Sequence, residues 1–184
     1  IHRPTVKHLW ANPAIGFLYL ERGDLAAAKA HLGEAAAFCQ ASGDIPPELW
    51  CRVLLVQVCS KSGEAEEAVR HLGRARELFS LSQDWRGLAA DVYLAEGVLA
   101  TAQHRWPEAE AALQKAVEVN RQYHLPYYEA RSLLEWGEMY LLRHGPGDRQ
   151  RGMELLDQAL AIFQQVQAKK MVEKVLARKE PLGA

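Results

Sequence analysis

The sequence has no excess of charge of either sign and no long apolar run. It holds 22 basic and 23 acidic residues, and no block rich in lysine or arginine stands out. Because capture of nucleic acid or of an anionic membrane surface needs concentrated positive charge, we expect neither partner for this segment. The longest apolar stretches, such as 53–58, are far shorter than the roughly 20 residues that span a bilayer, so we expect no membrane helix.

Cysteine is sparse, with Cys39, Cys51 and Cys59 in the whole sequence. Cys51 and Cys59 are eight residues apart on one predicted helix, roughly 12 Å along its axis, which is too far for a disulfide. An odd, sparse set indicates small buried hydrophobic residues in a reducing compartment. The N-terminal segment lacks the pattern of a secretory signal. We therefore expect a cytoplasmic location, and the absence of an initial methionine leads us to expect a piece of a longer protein.

The spacing motifs of catalytic and metal sites are also lacking. No histidine forms an H-E-x-x-H or another paired metal motif, and the cysteines fall in helix interiors without a reactive signature. The segment HGPGDRQ (144–150) has two glycines but not the lysine or the strand-to-helix context of a phosphate-binding loop. We therefore predict a protein that is not an enzyme and that needs no metal and no cofactor. The histidines are His2, His8, His31, His71, His104, His124 and His144.

What the sequence does contain is one phrase repeated four times. The copies are AKAHLGEA (28–35), AVRHLGRA (68–75), AEAALQKA (109–116) and GMELLDQA (152–159), whose starts lie 40, 41 and 43 residues apart. Each copy has a small residue first, leucine fifth and alanine eighth. These positions share one helical face, where small residues admit a neighbouring helix and leucine fills the gap. Gly33 and Gly73, inside the first two copies, are interpreted in the same way as points of close helix approach.

A second helical pattern precedes each copy. It is centred on Gly16, Val56, Gly97 and Gly137, and turn-forming segments such as RGD (22–24) and SGE (62–64) separate the two patterns. Each unit is therefore predicted to be helix–turn–helix, with apolar residues at helical spacing throughout and no strand. We predict a single repeat domain over 1–184, with repeats at about 5–43, 44–83, 84–124 and 125–166 and a short capping helix at about 168–178.

This pattern resembles the tetratricopeptide repeat (TPR) family. Gly16 and Tyr19 match the family's small residue and aromatic, and Ala28, Leu32 and Ala35 match its second helix. The departures are Val56 and Cys59 in repeat two, Ala100 in repeat three and Gly152 in repeat four. The period of 40–41 residues exceeds the usual ~34 and is similar to that of long-helix repeats in MalT-like sensor regions and in the C-terminal regions of bacterial signalling ATPases and cyclases. The resemblance implies an all-α, right-handed α-α superhelix of about four helix pairs.

The resemblance also implies which residues line a concave face, because the first helix of each TPR pair lies on that side. The apolar residues on this face suit contact with a ligand. The alternative is that Trp10 and Trp50 fill the space between adjacent repeats. Asp91 and Arg131 either hold a ligand or pair with each other across neighbouring repeats. The candidate partner-binding residues are Trp10, Phe17 and Glu21 in repeat one, Trp50, Gln57 and Lys61 in repeat two, Asp91 in repeat three, and Arg131 and Glu138 in repeat four. The same geometry also directs Val98, Ala102 and Leu142 to the concave side.

Two functions are predicted from these features. The first is a non-catalytic interaction or scaffold module of a larger signalling or regulatory protein, whose concave face binds a protein or peptide segment, including another domain of the same protein. The alternative is a domain that senses a small-molecule effector, as implied by the MalT-like period. Exposed terminal faces of a stacked repeat array also predict self-association.

Overall fold

The chain folds into helices throughout the part that the structure describes. The computed structural model describes residues 6–82 and 84–180, and of residues 6–12 it describes the backbone alone. Within these ranges there are nine helices and no strand. The helices are α1 (Val6–Arg22), α2 (Leu25–Ser42), α3 (Ile45–Lys61), α4 (Ala65–Phe79), α5 (Gly87–Ala102), α6 (Trp106–Gln122), α7 (Pro126–Arg143), α8 (Asp148–Gln165) and α9 (Lys169–Lys179).

Six of the eight turns between the described helices share one hydrogen-bond pattern, and the α4–α5 and α7–α8 turns do not. In the first turn Gly23 has a φ of +80°, and the next residue, Asp24, donates its backbone N–H to the carbonyl of Tyr19, five residues back, at 3.0 Å. The bond from Asp44 to the carbonyl of Cys39, also 3.0 Å, closes α2 in the same way. This closure satisfies carbonyl groups that a helix end otherwise leaves without a partner. The predicted turn segments therefore end helices as expected.

The repeated phrase forms the packed side of the second helices. All four of its leucines are buried, as are the small residues at its first and eighth positions. Opposite the leucine lies the glycine of the preceding helix: a Cβ added at Gly16 would lie 2.5 Å from Cγ of Leu32, and one added at Gly97 would lie 2.5 Å from Cγ of Leu113. Only a residue without a side chain permits this approach. The burial confirms the predicted packed face of small residues and leucine, and the contact with the glycine of the preceding helix is a finding of the structure.

The interpretation of Gly33 and Gly73 is wrong. A Cβ added at either position would meet nothing within 4 Å outside its own chain neighbourhood. Gly73 is exposed and Gly33 half-buried, so neither supports close approach of a neighbouring helix. Each directly follows the leucine and so points about 100° away from it around the helix axis, where spacing alone cannot distinguish contact from solvent.

The chain divides into two compact units, Ile1–Ala95 and Glu96–Ala184. In the first unit α2 packs against α1 and α3, α3 also packs against α1 and α4, and the core includes Leu32, Leu54 and Leu55. In the second unit α7 packs against α6 and α8, and α9 packs against α8 through its buried residues Met171 and Val175. The helix α5 contributes residues to both units. The predicted closing helix corresponds to α9.

One further expectation concerns the burial of the cysteines. Cys39, Cys51 and Cys59 are all buried, as predicted, and desolvation raises the pKa of Cys51 to about 12 and that of Cys59 to about 11. Neutral thiols of this kind are poor nucleophiles.

Among the described helices, none combines the length and the apolar character that crossing a bilayer requires.

Candidate functional site

The aromatic pair Phe17 and Trp50 is the centre of the predicted binding residues in the first unit. Phe17 lies on α1 and Trp50 on α3, and their ring centroids are 6.0 Å apart with a 38° angle between the ring planes. Both side chains are half-buried and pack against the core of this unit. Such tilted contacts suit aromatic pairs, and the core beneath restricts the rings. The structure thus brings together two candidates from successive repeats.

Three charged or polar candidates share these two helices. Glu21 lies one turn after Phe17 and is half-buried, whereas Lys61 is exposed at the end of α3. Gln57, one turn before Lys61, is only 1% exposed. Residues four apart lie on the same side of a helix. We call the surface formed by Phe17, Trp50, Glu21 and Lys61 the α1–α3 face. Trp10 lies within α1, but its side chain falls outside the described part of the chain.

The remaining candidates are buried or already paired. Asp91 in the first unit is 9% exposed and Arg131 in the second is 5% exposed. Their predicted pairing stays a prediction. Glu138 is half-buried and accepts a hydrogen bond from Nε of Arg178 on α9, at 3.0 Å. Spacing alone did not reveal this ion pair, because Arg178 belongs to a helix outside the repeats.

The exposed fraction differs among the other three residues that the spacing placed on the concave side. Val98 is buried, Ala102 is exposed, and Leu142 is 59% exposed, which is unusual for a large apolar residue. A helical period indicates direction around one helix, but it does not tell how closely the neighbouring helices cover each position. Their position on a concave face stays a prediction.

An open cleft of about 460 Å³ lies in the first unit, between the start of α3 and the segment that joins α4 to α5. Leu81 at its edge is 64% exposed. The indole N–H of Trp85 donates to the carbonyl of Phe79 at 2.6 Å, and the two rings stack with centroids 6.2 Å apart, so the indole is fixed in place. The cleft is lined by Ile45, Pro46, Leu81, Ser82, Asp84, Trp85, Arg86 and Leu88. This cleft lies at the predicted boundary between repeats two and three, for which the sequence predicted no binding residue.

Glu48, near the start of α3, has a buried carboxylate. Arg74 donates to both of its oxygens, at 3.0 and 3.1 Å, and Nε of Arg52 lies 3.3 Å from one of them. Hydrogen bonding to Glu48 raises the pKa of Arg74 above its usual range. Because two guanidinium groups hold this carboxylate, we interpret it as a structural link between α3 and α4.

A second polar cluster lies in the second unit, around Tyr140. Its hydroxyl donates to Glu110 at 2.5 Å, and Arg143 donates to Asp148 at 2.7 and 2.8 Å. Burial and the neighbouring Glu110 raise the pKa of Tyr140. Asp148 also accepts the backbone N–H of Gly145 at 2.7 Å, and the hydrogen bonds from Arg143 lower its pKa to about 2. These contacts fix the long turn between α7 and α8.

Comparison with known proteins supports the fold. No protein-family model matches the chain, and no curated protein matches it. Among solved structures, the crystal structure of the apo form of RapI is similar, with a TM-score of 0.53 and 14% sequence identity. The match covers 97% of this chain and 51% of that one, so the chain spans about half the length of RapI. The likeness shows the fold alone, and it confirms the prediction of an all-α helical-repeat fold.

Proposed function

We propose that the chain is a protein-interaction module and that the α1–α3 face binds a segment of a partner protein. The observation that carries the proposal is the contact between Phe17 and Trp50, whose half-exposed rings come from two successive repeats. Helical repeats typically present such surfaces to partners, and the likeness to RapI supports this class of fold. Signalling or regulation through a larger protein belongs to the same proposal.

The physical basis is the low cost of ordering this pair. Trp and Tyr are enriched among residues that dominate binding energy, partly because they offer a large area with few rotatable bonds. The core already restricts Phe17 and Trp50, so a partner that covers them loses little side-chain entropy. The two rings therefore favour a segment that contributes an apolar side chain.

Charge at the edge of the face favours one orientation of the partner. Glu21 and Lys61 carry opposite charges at the C-terminal ends of α1 and α3. Charges at the rim of an interface change orientation and association rate more than total affinity. We therefore propose a segment with an apolar anchor and charges of both signs. Another domain of the same protein meets this description as well as a separate protein does.

The experiment is selection of peptides from a displayed library on the immobilised chain, followed by titration calorimetry of the selected peptides. We expect Phe17→Ala and Trp50→Ala each to weaken binding by more than about 1 kcal/mol. Val69→Ala is the matched control, because Val69 is an exposed apolar residue on α4 of the same unit. Peptides that bind all of these variants equally would place the interaction elsewhere.

Charge reversal separates lost binding from lost folding. Glu21→Lys and Lys61→Glu change the rim and leave the core of the first unit intact. We expect them to slow association and to change its salt dependence, whereas circular dichroism and the melting temperature stay close to those of the parent chain. An association rate that ignores both reversals contradicts the proposed orientation.

A second candidate function is the binding of a small effector in the cleft beside Trp85. Its volume of about 460 Å³ lies within the range of small-molecule sites, and Trp85 offers a fixed apolar wall. A thermal-shift screen of metabolites tests it, since a ligand at 100 times its Kd stabilises the folded state by about 2.7 kcal/mol. A stabilising compound whose effect persists in Leu81→Asp and Leu88→Ala binds outside the cleft.

A further inference from the structure

Three different metal-binding side chains meet between α3 and α4 of the first unit. A cysteine sulfur, a carboxylate oxygen and an imidazole nitrogen, from Cys59, Glu67 and His71, all lie within 4.8 Å of one another. We call this group the Cys59 cluster. The cluster was not predicted from the sequence, since none of its residues forms a recognised motif and Cys59 was interpreted as a packing residue.

The helices position these donors in a simple way. Glu67 and His71 are four residues apart on α4 and so share one side of it, with 3.8 Å between Oε1 of Glu67 and Nε2 of His71. Cys59 is in the last turns of α3, which packs against α4, and is completely buried. The side chains of Glu67 and His71 remain 31% and 15% exposed. An open cleft of about 440 Å³ at the start of α4 borders Glu67.

We propose that Cys59, Glu67 and His71 bind a borderline-soft divalent metal ion, with Zn²⁺ as the best match. Thiolate, imidazole and carboxylate are the donors that zinc takes in proteins, and three protein ligands leave a fourth tetrahedral position for water. In a tetrahedral zinc site the ligand atoms lie about 3.3–3.7 Å apart. The cluster therefore has to contract by roughly 1 Å, which rotation of the partly exposed Glu67 and His71 side chains supplies.

Comparison of the repeats shows that this donor set is special to repeat two. In the other repeats the same three positions never hold three donors: repeat one places an aromatic ring where repeat two has the thiol, and Tyr19 there stacks on His31 with centroids 5.4 Å apart. The cluster is thus a local departure from the repeat pattern. The equivalent positions are Tyr19, Ala27 and His31 in repeat one, Ala100, Glu108 and Ala112 in repeat three, and Tyr140, Arg151 and Leu155 in repeat four.

Without metal, a lysine neutralises the carboxylate. Nζ of Lys29 on α2 hydrogen-bonds to Glu67 at 2.6 Å and also to Glu64. A metal ion has to take Glu67 from Lys29, which keeps Glu64 as its partner. Because the ammonium competes for this ligand and repels a cation, removal of its charge is expected to strengthen metal binding.

His71 changes its hydrogen bonding when it binds a metal through Nε2. In the structure Nη1 of Arg52 lies 3.2 Å from Nδ1 of His71, so Nδ1 accepts and Nε2 carries the proton. Coordination through Nε2 moves that proton to Nδ1, and Arg52 then relies on its bonds to Glu48 and Gln40. The thiol of Cys59 also loses its proton to solvent as the metal–sulfur bond forms. These costs predict a weaker site than a structural zinc site.

Cobalt titration tests the proposal directly. Addition of Co²⁺ to the reduced protein is expected to give the thiolate-to-cobalt charge-transfer absorption, saturating at one equivalent, and Zn²⁺ is expected to remove it by competition. Cys59→Ser should abolish the absorption, and Glu67→Gln and His71→Gln should each weaken binding by more than about tenfold. Cys39→Ser and His31→Gln are matched controls, because they alter a second buried cysteine and the equivalent histidine of repeat one.

Lys29→Gln provides the decisive variant if Cys59→Ser fails to fold. It leaves all three ligands in place and is expected to bind Co²⁺ several-fold more tightly than the parent chain. A charge-transfer absorption that survives Cys59→Ser, or an affinity that Lys29→Gln leaves unchanged or lowers, overturns the assignment. Absence of any thiolate absorption at saturating Co²⁺ in both the parent chain and Lys29→Gln overturns it as well.

Discussion

The two units form the same turn with different residues. In the first unit the left-handed positions at 23, 43 and 63 are glycines, with φ between +76° and +80°. In the second unit His104, His124 and Gln167 take equivalent positions with φ of +54° to +57°. In both units the following residue donates to the carbonyl five residues back, for example Leu125 to Asn120 at 2.9 Å. The geometry of the hairpin therefore dictates the backbone, and the residue type follows only loosely.

The residue type at the left-handed position affects the stability of each turn. Glycine adopts a positive φ without steric cost, whereas a residue with a Cβ loses about 1 kcal/mol or more there. Histidine is among the residues that tolerate this region best. The contact of Gly16 with Leu32 in the first unit, in contrast, has the same geometry as that of Gly97 with Leu113 in the second. Packing between helices is thus expected to respond equally to mutation in the two units, and the turns are expected to respond in opposite directions.

The largest effect is expected from cavities at the repeated leucine. Leu32→Ala in the first unit and Leu113→Ala in the second each remove a fully buried side chain that fills the space beside a glycine. Each should lower the free energy of unfolding by about 2–5 kcal/mol, measured by urea denaturation. Leu18→Ala, at a position 54% exposed, is the control and should change it little. A cost at only one of the two leucines would show that the units are packed unequally.

A smaller effect is expected from filling the contact between helices. Gly16→Ala and Gly97→Ala each place a Cβ about 2.5 Å from a leucine Cγ, so the helices must shift apart. We expect each variant to lose about 1–3 kcal/mol. Gly33→Ala is the matched control, since a Cβ there meets nothing within 4 Å and helix propensity favours alanine by up to about 1 kcal/mol. Destabilisation by Gly33→Ala at the level of Gly97→Ala would contradict this explanation.

The residues of these two predictions also show what sequence reasoning can achieve. The packed face of small residues and leucine in each second helix follows from spacing, because one face of a helix repeats every three to four residues. Gly33 was misjudged because its surroundings depend on how neighbouring helices are placed. The Cys59 cluster was missed for the same reason: Glu67 and His71 are visible as a pair on α4, but their distance to a cysteine on α3 depends on tertiary packing.

The candidate binding face shows the same limit. Spacing placed Phe17 and Trp50 on the same side of successive first helices, and the structure puts their rings in contact. The same spacing did not distinguish these half-exposed rings from the buried Gln57. The partner of Glu138, Arg178, lies 40 residues further along the chain on α9, beyond the reach of any local pattern.

Mutation of the left-handed turn residue is expected to change stability in opposite directions in the two units. His124→Gly removes the steric cost of φ +54° and is expected to gain a few tenths to about 1 kcal/mol, net of the greater entropy of the unfolded chain. Gly43→Ala, at φ +77°, is expected to lose about 1 kcal/mol. Thermal or urea unfolding measures both. Changes of the same sign would mean that side-chain contacts of His124, rather than its backbone, decide the stability of that turn.

The smallest effect is expected from acid, and it concerns the turn of the second unit that has no counterpart in the first. Arg143 lowers the pKa of Asp148 to about 2, below the value near 3.9 of an unfolded chain. A depressed pKa stabilises the folded state above the unfolded value, and this contribution is lost as the pH falls from about 4 towards about 2. In Asp148→Asn the melting temperature should therefore start lower at neutral pH and fall less steeply over that interval. The control is Asp157→Asn, which changes an exposed residue on α8 that pairs with Lys179, and it should leave the slope almost unchanged. Parallel pH profiles for Asp148→Asn and the parent chain would show that Asp148 does not couple protonation to folding.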